Sequence, residues 1–205
     1  KEADTNNDKV TLGLAADMYR EYMRLFPENQ YAYAITMNKA LMLKSLGRNE
    51  EAGDAFEQVL TLEPNGKYAK EAAYEAMFAY YSLMKASKTT LKDDADADGI
   101  EAMEMPPLQT RVVRACERYR KIADPEDENL PDATYAAARV YYDYNDFENA
   151  IPLLEEMVTT FQDHPNAPGA AKILLSSYNM KRDFKALEAR AISLAGTRLA
   201  TGDLE

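Results

Sequence analysis

A small-then-large apolar pattern returns along the chain and constrains its fold more than any other feature. In each copy an alanine is followed, four and about seven positions later, by large apolar residues, with looser agreement in the last copy. The alanines are Ala15, Ala52, Ala115, Ala150 and Ala186, which by subtraction lie 37, 63, 35 and 36 residues apart. A single methyl group lets two helices cross closely, and the larger residues lie on the same face and fill the space beside the crossing. The pattern therefore predicts stacked helical hairpins, with an insertion inside the 63-residue interval.

A segment of helical length precedes most of these copies, so each repeat is predicted to be a helix, a turn and a second helix. We predict an all-α fold in which an array of about four and a half hairpins occupies residues 9–200. A polar N-terminal tail at 1–8 and a C-terminal tail at 197–205 flank the array. Its predicted parts are a helix at 9–26 and hairpins at 31–63, 67–124 (with an inserted loop at 87–107), 131–163 and 167–196.

The helix at 9–26 carries the pattern of a second helix without a first helix before it. Ala15, Tyr19 and Tyr22 have the same spacing as Ala52, Phe56 and Val59. In a stacked array, such a helix leaves an apolar face uncovered unless preceding sequence packs on it. We therefore expect the chain to be a fragment of a longer protein.

The copy from Tyr33 to Pro64 carries Ala40, Gly47, Ala52 and Phe56 at spacings that resemble the tetratricopeptide repeat (TPR) family. Asp-Phe-Glu-Asn-Ala at 146–150 and Arg-Asp-Phe-Lys-Ala at 182–186 resemble the turn and second-helix start of two further copies. The chain departs from the family pattern in lacking Trp and in its irregular third copy. The resemblance implies an α-solenoid with a right-handed superhelix. It also implies a non-catalytic protein–protein interaction scaffold that binds a partner protein or peptide on its concave face.

The run at 138–151 is similar to TPR proteins of the bacterial cell envelope. That branch includes the Tol-Pal coordinator, the outer-membrane assembly lipoprotein and the repeat proteins of gliding motility. The resemblance implies that the chain is part of a larger envelope assembly, in the periplasm or elsewhere in the cell envelope. A cytoplasmic location is the alternative.

Charge and composition argue against several other functions. Lys plus Arg number 24 and Asp plus Glu number 35, which gives a net charge of −11 and disfavours nucleic-acid binding. No apolar stretch is long enough to span a membrane. We expect the single Cys116 to pack inside a helix and the single His164 to lie in a turn, so the sequence does not predict an enzyme. Arg111, Arg114 and Arg118 form a basic stripe, which either pairs with nearby acidic residues or docks an acidic partner.

The insertion contains the run Asp94, Asp96, Asp98 and Gly99, which matches the start of a calcium-binding loop of the EF-hand type. Position twelve of such a loop is normally Glu, whereas here it is Met105. We favour a solvated acidic loop and keep a calcium-binding structural module, with Ca²⁺ as its cofactor, as the alternative function. The polarity of residues 88–105 also predicts that they are dispensable for folding.

A partner-binding face is predicted on the first helices of the hairpins. When Tyr74, Tyr135 and Ala171 are placed in one register, residues on the same helix face follow at three- and four-residue steps. Tyr80 and Tyr141, next to this face, are predicted to lie in the core, and the alternative is that all these rings are core. The predicted partner-binding residues are Tyr74, Phe78, Tyr81, Tyr135, Arg139, Tyr142, Leu175 and Tyr178, and the earliest repeat adds Met37, Leu41 and Lys44.

Overall fold

The computed structural model describes residues 2–27, 29–87 and 101–201, and within these ranges every regular element is a helix. The all-α prediction is therefore confirmed. The helices are α1 (Glu2–Leu25), α2 (Ala32–Ser45), α3 (Asn49–Leu62), α4 (Ala69–Ala86), α5 (Pro107–Ile122), α6 (Leu130–Asp143), α7 (Phe147–Thr159), α8 (Ala167–Met180), α9 (Phe184–Leu194) and α10 (Arg198–Thr201).

The chain divides into two compact units, residues 1–88 and 89–205. In the first unit, α1 packs on α2, α2 on α3, and α3 on α4. In the second unit, α5 through α9 pack in the same successive way, α6 also contacts α8, and α10 packs on α8. The predicted pairing within 67–124 crosses the boundary between the units, so it stays a prediction.

Small residues allow the close helix crossings, as the repeat pattern predicts. In the hairpin of α2 and α3, Ala40, Ala52 and Phe56 are completely buried. In the hairpin of α6 and α7, Ala150 and Leu154 occupy the corresponding positions and are also completely buried. The small and large residues thus form the interface between the two helices, and both burials stabilise the hairpin.

The turns inside three hairpins share one backbone device. Gly47, Asn145 and Arg182 all have positive φ, at 72°, 58° and 56°, which is the left-handed conformation that ends a helix. In the second unit, Asp146 and Asp183 then cap α7 and α9 by accepting from the backbone N–H groups of Asn149 and Ala186. Asn145 and Arg182 lie 37 residues apart, as do the two capping aspartates, so these turns fix the repeat register.

Both predicted tails contain helix. The polar tail predicted at 1–8 differs from the structure, because α1 already begins at Glu2. Extending an existing helix costs much less free energy than nucleating a new one. The amphipathic part of α1 therefore continues as helix into the polar residues that precede it. The predicted tail at 197–205 contains α10, and Leu199 within it is buried.

The chain leaving the insertion is fastened to the second unit. The Met103 N–H donates to the Tyr144 carbonyl at 2.8 Å, and the Asn145 side-chain amide donates to the Glu101 carbonyl at 3.3 Å. Residues 101–105 therefore contact the turn between α6 and α7, whereas the sequence predicts that the whole of 88–105 is dispensable. The predicted calcium ligands Asp94, Asp96 and Asp98 lie outside the described residues.

Candidate binding faces on the first helices

In the second unit, the candidate face begins with three half-buried residues on α6, namely Tyr135, Arg139 and Tyr142. The Arg139 Nε donates to Oδ1 of Asp143, one turn along the helix, at 3.3 Å. Burial lowers the pKa of Arg139, but Asp143 and Tyr135 raise it by more, so the guanidinium stays charged. The face thus presents a held cation between two aromatic rings.

Tyr142 links this part of α6 to α8. Its hydroxyl lies 2.8 Å from the Ser176 hydroxyl, and its ring meets that of Phe147 edge-on at 6.0 Å. Tyr135 lies close to α8 as well, because a Cβ added at Gly169 would lie 2.9 Å from its hydroxyl oxygen. Packing and hydrogen bonds therefore hold both rings in place.

The predicted register of α8 is wrong by one residue. The turn residues Asn145 and Arg182 lie 37 residues apart, and so do Tyr141 and Tyr178. Tyr178 is therefore the counterpart of the core residue Tyr141 rather than of Tyr142. Ala171, which the predicted register places on the binding face, is buried. The residues of α8 that correspond to Tyr135, Arg139 and Tyr142 are Lys172, Ser176 and Asn179.

Leu175 and Tyr178 are half-buried, and Tyr178 points its hydroxyl back to the preceding helix. The hydroxyl donates to Oε1 of Glu155 at 2.8 Å, and Arg190 of α9 binds the same carboxylate. Burial first, and then this hydrogen bond to Glu155, raise the pKa of Tyr178 to about 12. Tyr178 therefore joins consecutive hairpins through its hydroxyl.

In the first unit, α4 presents an aromatic pair with cations nearby. The rings of Tyr74 and Phe78 stack at 6.5 Å, and half of Phe78 is exposed. The Lys44 ammonium from α2 lies 5.8 Å from the Phe78 ring centroid, and Lys85 lies 5.0 Å from that of Tyr81. These distances fit cation–π contacts.

Three residues of the first helices are buried and therefore do not belong to the candidate faces. Met37, which the sequence places on the face of the first repeat, is buried instead. It lies on the side of α2 that packs into the core. Tyr80 and Tyr141 are buried, as predicted for core residues.

The two candidate reactive side chains have structural surroundings. Cys116 is completely buried on α5, and burial raises the pKa of its thiol to about 12 despite the opposing charge of Arg120. A protonated thiol is a poor nucleophile at neutral pH. His164 lies in the turn between α7 and α8, where its Nδ1 accepts from the Asn166 N–H at 3.3 Å.

One basic residue of α5, Arg120, is bound by side chains of two neighbouring helices. Arg120 binds Glu156 of α7 and donates from Nε to the Thr134 hydroxyl at 2.9 Å. Arg120 is not part of the predicted stripe of Arg111, Arg114 and Arg118, so the choice between pairing and docking for that stripe stays a prediction. In the described ranges, no group of three or more His, Cys, Asp or Glu is placed to hold a metal ion, and none of the helices is long and apolar enough to cross a membrane.

The successive antiparallel helices, the alanine-based crossings and the shared turn define a protein built of helical-hairpin repeats. Residues 35–65, which cover most of α2 and all of α3, match the model of the tetratricopeptide repeat family. A search of curated proteins gave no match.

Several solved structures are similar to this chain. One is a putative kinesin light chain with nearly identical TPR-like repeats from Podosopora anserina, at 15% identity and a TM-score of 0.47, with 96% of this chain and 93% of that chain covered. Another is BtubC (BKLC) from P. vanneervenii, at 15% identity and a TM-score of 0.46, with 99% and 79% covered. At this level of similarity neither structure informs the function of the chain.

Proposed function

We propose that the protein is a non-catalytic interaction scaffold that binds a partner protein or peptide on the first-helix faces of its hairpins. Tetratricopeptide repeats in general mediate protein–protein interaction, and residues 35–65 match that family. The observation that carries the proposal is the Phe78 ring, which is half exposed although Tyr74 and Lys44 hold it in place.

The chemistry of these faces suits recognition of a peptide. A fixed aromatic ring offers contact area at a small cost in side-chain entropy, and tyrosine adds a hydroxyl that tolerates water. In the first unit, the exposed part of the Phe78 ring fits an apolar side chain, and Lys44 beside it already donates to Glu75 at 2.6 Å. In the second unit, Arg139 between Tyr135 and Tyr142 offers a similar combination of ring and cation.

The location and the assembly are part of the proposal. The run at 138–151 supports a place in a bacterial envelope assembly through its resemblance to TPR proteins of that compartment.

The calcium-binding alternative is supported by the spacing of Asp94, Asp96 and Asp98. Calorimetric titration of the protein with calcium chloride separates this alternative from the scaffold, since an absence of heat eliminates it.

A selection from a random peptide library displayed on phage tests the scaffold proposal. We expect selected peptides to bind Phe78→Gln about tenfold more weakly than the unchanged protein, because a central aromatic contact is lost. Ile192→Gln is the matched control, since Ile192 is an exposed apolar residue of α9 in the second unit. Peptides that bind all three proteins equally, or no selected peptides, would contradict the proposal for the first unit.

A further inference from the structure

Two adjoining cavities lie beside the turns that precede α7 and α9 in the second unit. Their volumes are about 150 Å³ and 200 Å³, and both are lined by Phe147, Glu148 and Lys181. They are therefore two halves of one groove, which we call the turn groove. A cavity of about 150 Å³ can hold a group the size of a benzene ring, so each half has room for part of a partner's side chain.

Much of the lining of the turn groove is apolar. Phe147 lines both halves and is only 3% exposed. Ile151, Pro152 and the half-buried ring of Tyr178 line the smaller half. Ala102, in the chain that leaves the insertion, lines the larger half. The groove thus offers contact to the hydrocarbon part of a side chain.

Carboxylates outnumber cations around the turn groove. Asp146, Glu148 and Asp183 line it, and Lys181 is the one cation among the described lining residues. Lys181 binds Glu148, so this pair is neutral. One further carboxylate remains in each half, Asp146 in the larger and Asp183 in the smaller, and the other cations of these turns line neither half.

These two carboxylates are held in place because each also caps a helix. Asp146 accepts from the backbone N–H and the side-chain amide of Asn149, at 3.3 and 2.8 Å. Asp183 accepts from the Ala186 N–H through Oδ1, at 3.1 Å. Within the described part of the chain, Oδ2 of Asp183 receives no hydrogen bond. A fixed carboxylate with an available oxygen is suited to a cationic donor.

We propose that the turn groove binds an arginine side chain of a partner protein. Arginine has a hydrocarbon stem that packs on apolar surface and a charged head with several donors, which matches an apolar lining beside carboxylates. A purely apolar side chain would take water from the carboxylates without pairing them. The groove is distinct from the first-helix faces proposed above, because Tyr178 occupies a core position in the register of α8.

Charge disfavours two other occupants of the groove. Residues 88–100 of the insertion contain two lysines and four aspartates, so this segment is itself acidic. A second copy of the chain has a net charge of −11, which opposes self-association. A partner that carries a basic side chain meets neither difficulty.

The probe for this site is the peptide acetyl-Ala-Arg-Ala-amide, and the same peptide with citrulline is its neutral control of similar size. Binding to the full chain is followed by two-dimensional ¹H–¹⁵N NMR, which reports each backbone amide separately. The groove variant is Asp146→Asn/Asp183→Asn, because asparagine caps a helix about as well as aspartate does. The matched control Glu126→Gln/Glu128→Gln removes two exposed charges from the turn between α5 and α6.

We expect saturable shifts at the amides of residues 145–152 and 178–183, with a dissociation constant of about 1 mM for a single side chain. The affinity should fall about tenfold or more for the citrulline peptide and for the groove variant, because each lacks one side of the charge pair. The matched control should keep it. Phe78→Gln should keep it as well, so failure of this proposal and failure of the scaffold proposal are recognised separately.

Absence of saturable shifts overturns the proposal. Equal affinity for the two peptides also overturns it, since the charge of arginine is then not recognised. Equal affinity of the groove variant and the unchanged protein would mean that the peptide binds elsewhere. Sedimentation equilibrium that shows a dimer, with a monomer in the groove variant, would assign the groove to a second copy instead.

Discussion

Tyr80 and Tyr178 occupy equivalent repeat positions, 98 residues apart, but they meet different surfaces on the preceding helix. Tyr80 lies against Gly53 of α3 so closely that a Cβ there would be 2.5 Å from its Cε1, and its hydroxyl donates to Asp54 at 2.7 Å. The counterparts of Gly53 and Asp54 on α7 are Ile151 and Pro152, which offer neither the space nor a carboxylate.

The Tyr178 hydroxyl is directed one turn further along α7, to Glu155. Its ring is half-buried, whereas only 3% of Tyr80 is exposed. A shallow cavity of about 150 Å³ remains beside Ile151 and Pro152. The residue that lies under the ring therefore decides whether a tyrosine at this position is buried or stays half-exposed.

Introducing the α7 residue into α3 should have the largest effect. Gly53→Ile forces the buried Tyr80 ring out of its place, and we expect a loss of about 3 kcal/mol in the free energy of unfolding, measured by urea denaturation. Gly13→Ile on α1 is the matched control, since nothing lies within 4 Å of a Cβ built there. It should be neutral or slightly stabilising, because isoleucine favours a helix more than glycine does. Equal losses in both variants would mean that Tyr80 does not depend on the glycine.

Removing the two hydroxyl groups should give smaller and unequal effects. We expect Tyr80→Phe to cost about 1.5 kcal/mol, because a buried residue loses a hydrogen bond to a carboxylate. Tyr178→Phe should cost only about 0.5 kcal/mol, since the site is more exposed and Arg190 still binds Glu155. The same denaturation assay measures both, and a larger loss for Tyr178→Phe would reverse the comparison.

The smallest effect should appear only in alkali. The pKa of Tyr178 is about 12 in the folded protein, above its value of about 10 in an unfolded chain. A raised pKa means that the protonated hydroxyl stabilises the fold, fully below about pH 10, and that this stabilisation disappears as the pH rises toward 12. The stability difference between the unchanged protein and Tyr178→Phe should therefore shrink over that interval. A difference that is constant or grows with pH would contradict this assignment.

The hairpins and their core could be predicted from the sequence because small and large residues recur at helical spacing. The register of α8 could not be obtained from the alanines, because Ala150 and Ala186 are 36 residues apart and do not occupy the same position. Asp146 and Asp183 were the better guide, since an N-cap side chain bonds to the backbone and so fixes where a helix begins.

Exposure depends on neighbours as well as on the residue itself. Met18 and Leu153 occupy equivalent repeat positions, and nothing in the sequence around them distinguishes the two. Their exposure differs because another helix packs against Leu153. For the same reason, the spacing of Tyr178 could not show that its ring would meet isoleucine instead of glycine.

The hydrogen bond from Met103 to Tyr144 has a practical consequence for engineering the chain. It holds the chain against the turn between α6 and α7 before α5 begins, so changes in length made within residues 88–100 need not alter the packing of α5 on α6. An epitope tag or a fluorescent reporter inserted within residues 88–100 should leave the packing of α5 to α9 intact. The same insertion between Glu101 and Pro106 would interrupt the segment that hydrogen-bonds to Tyr144 and Asn145.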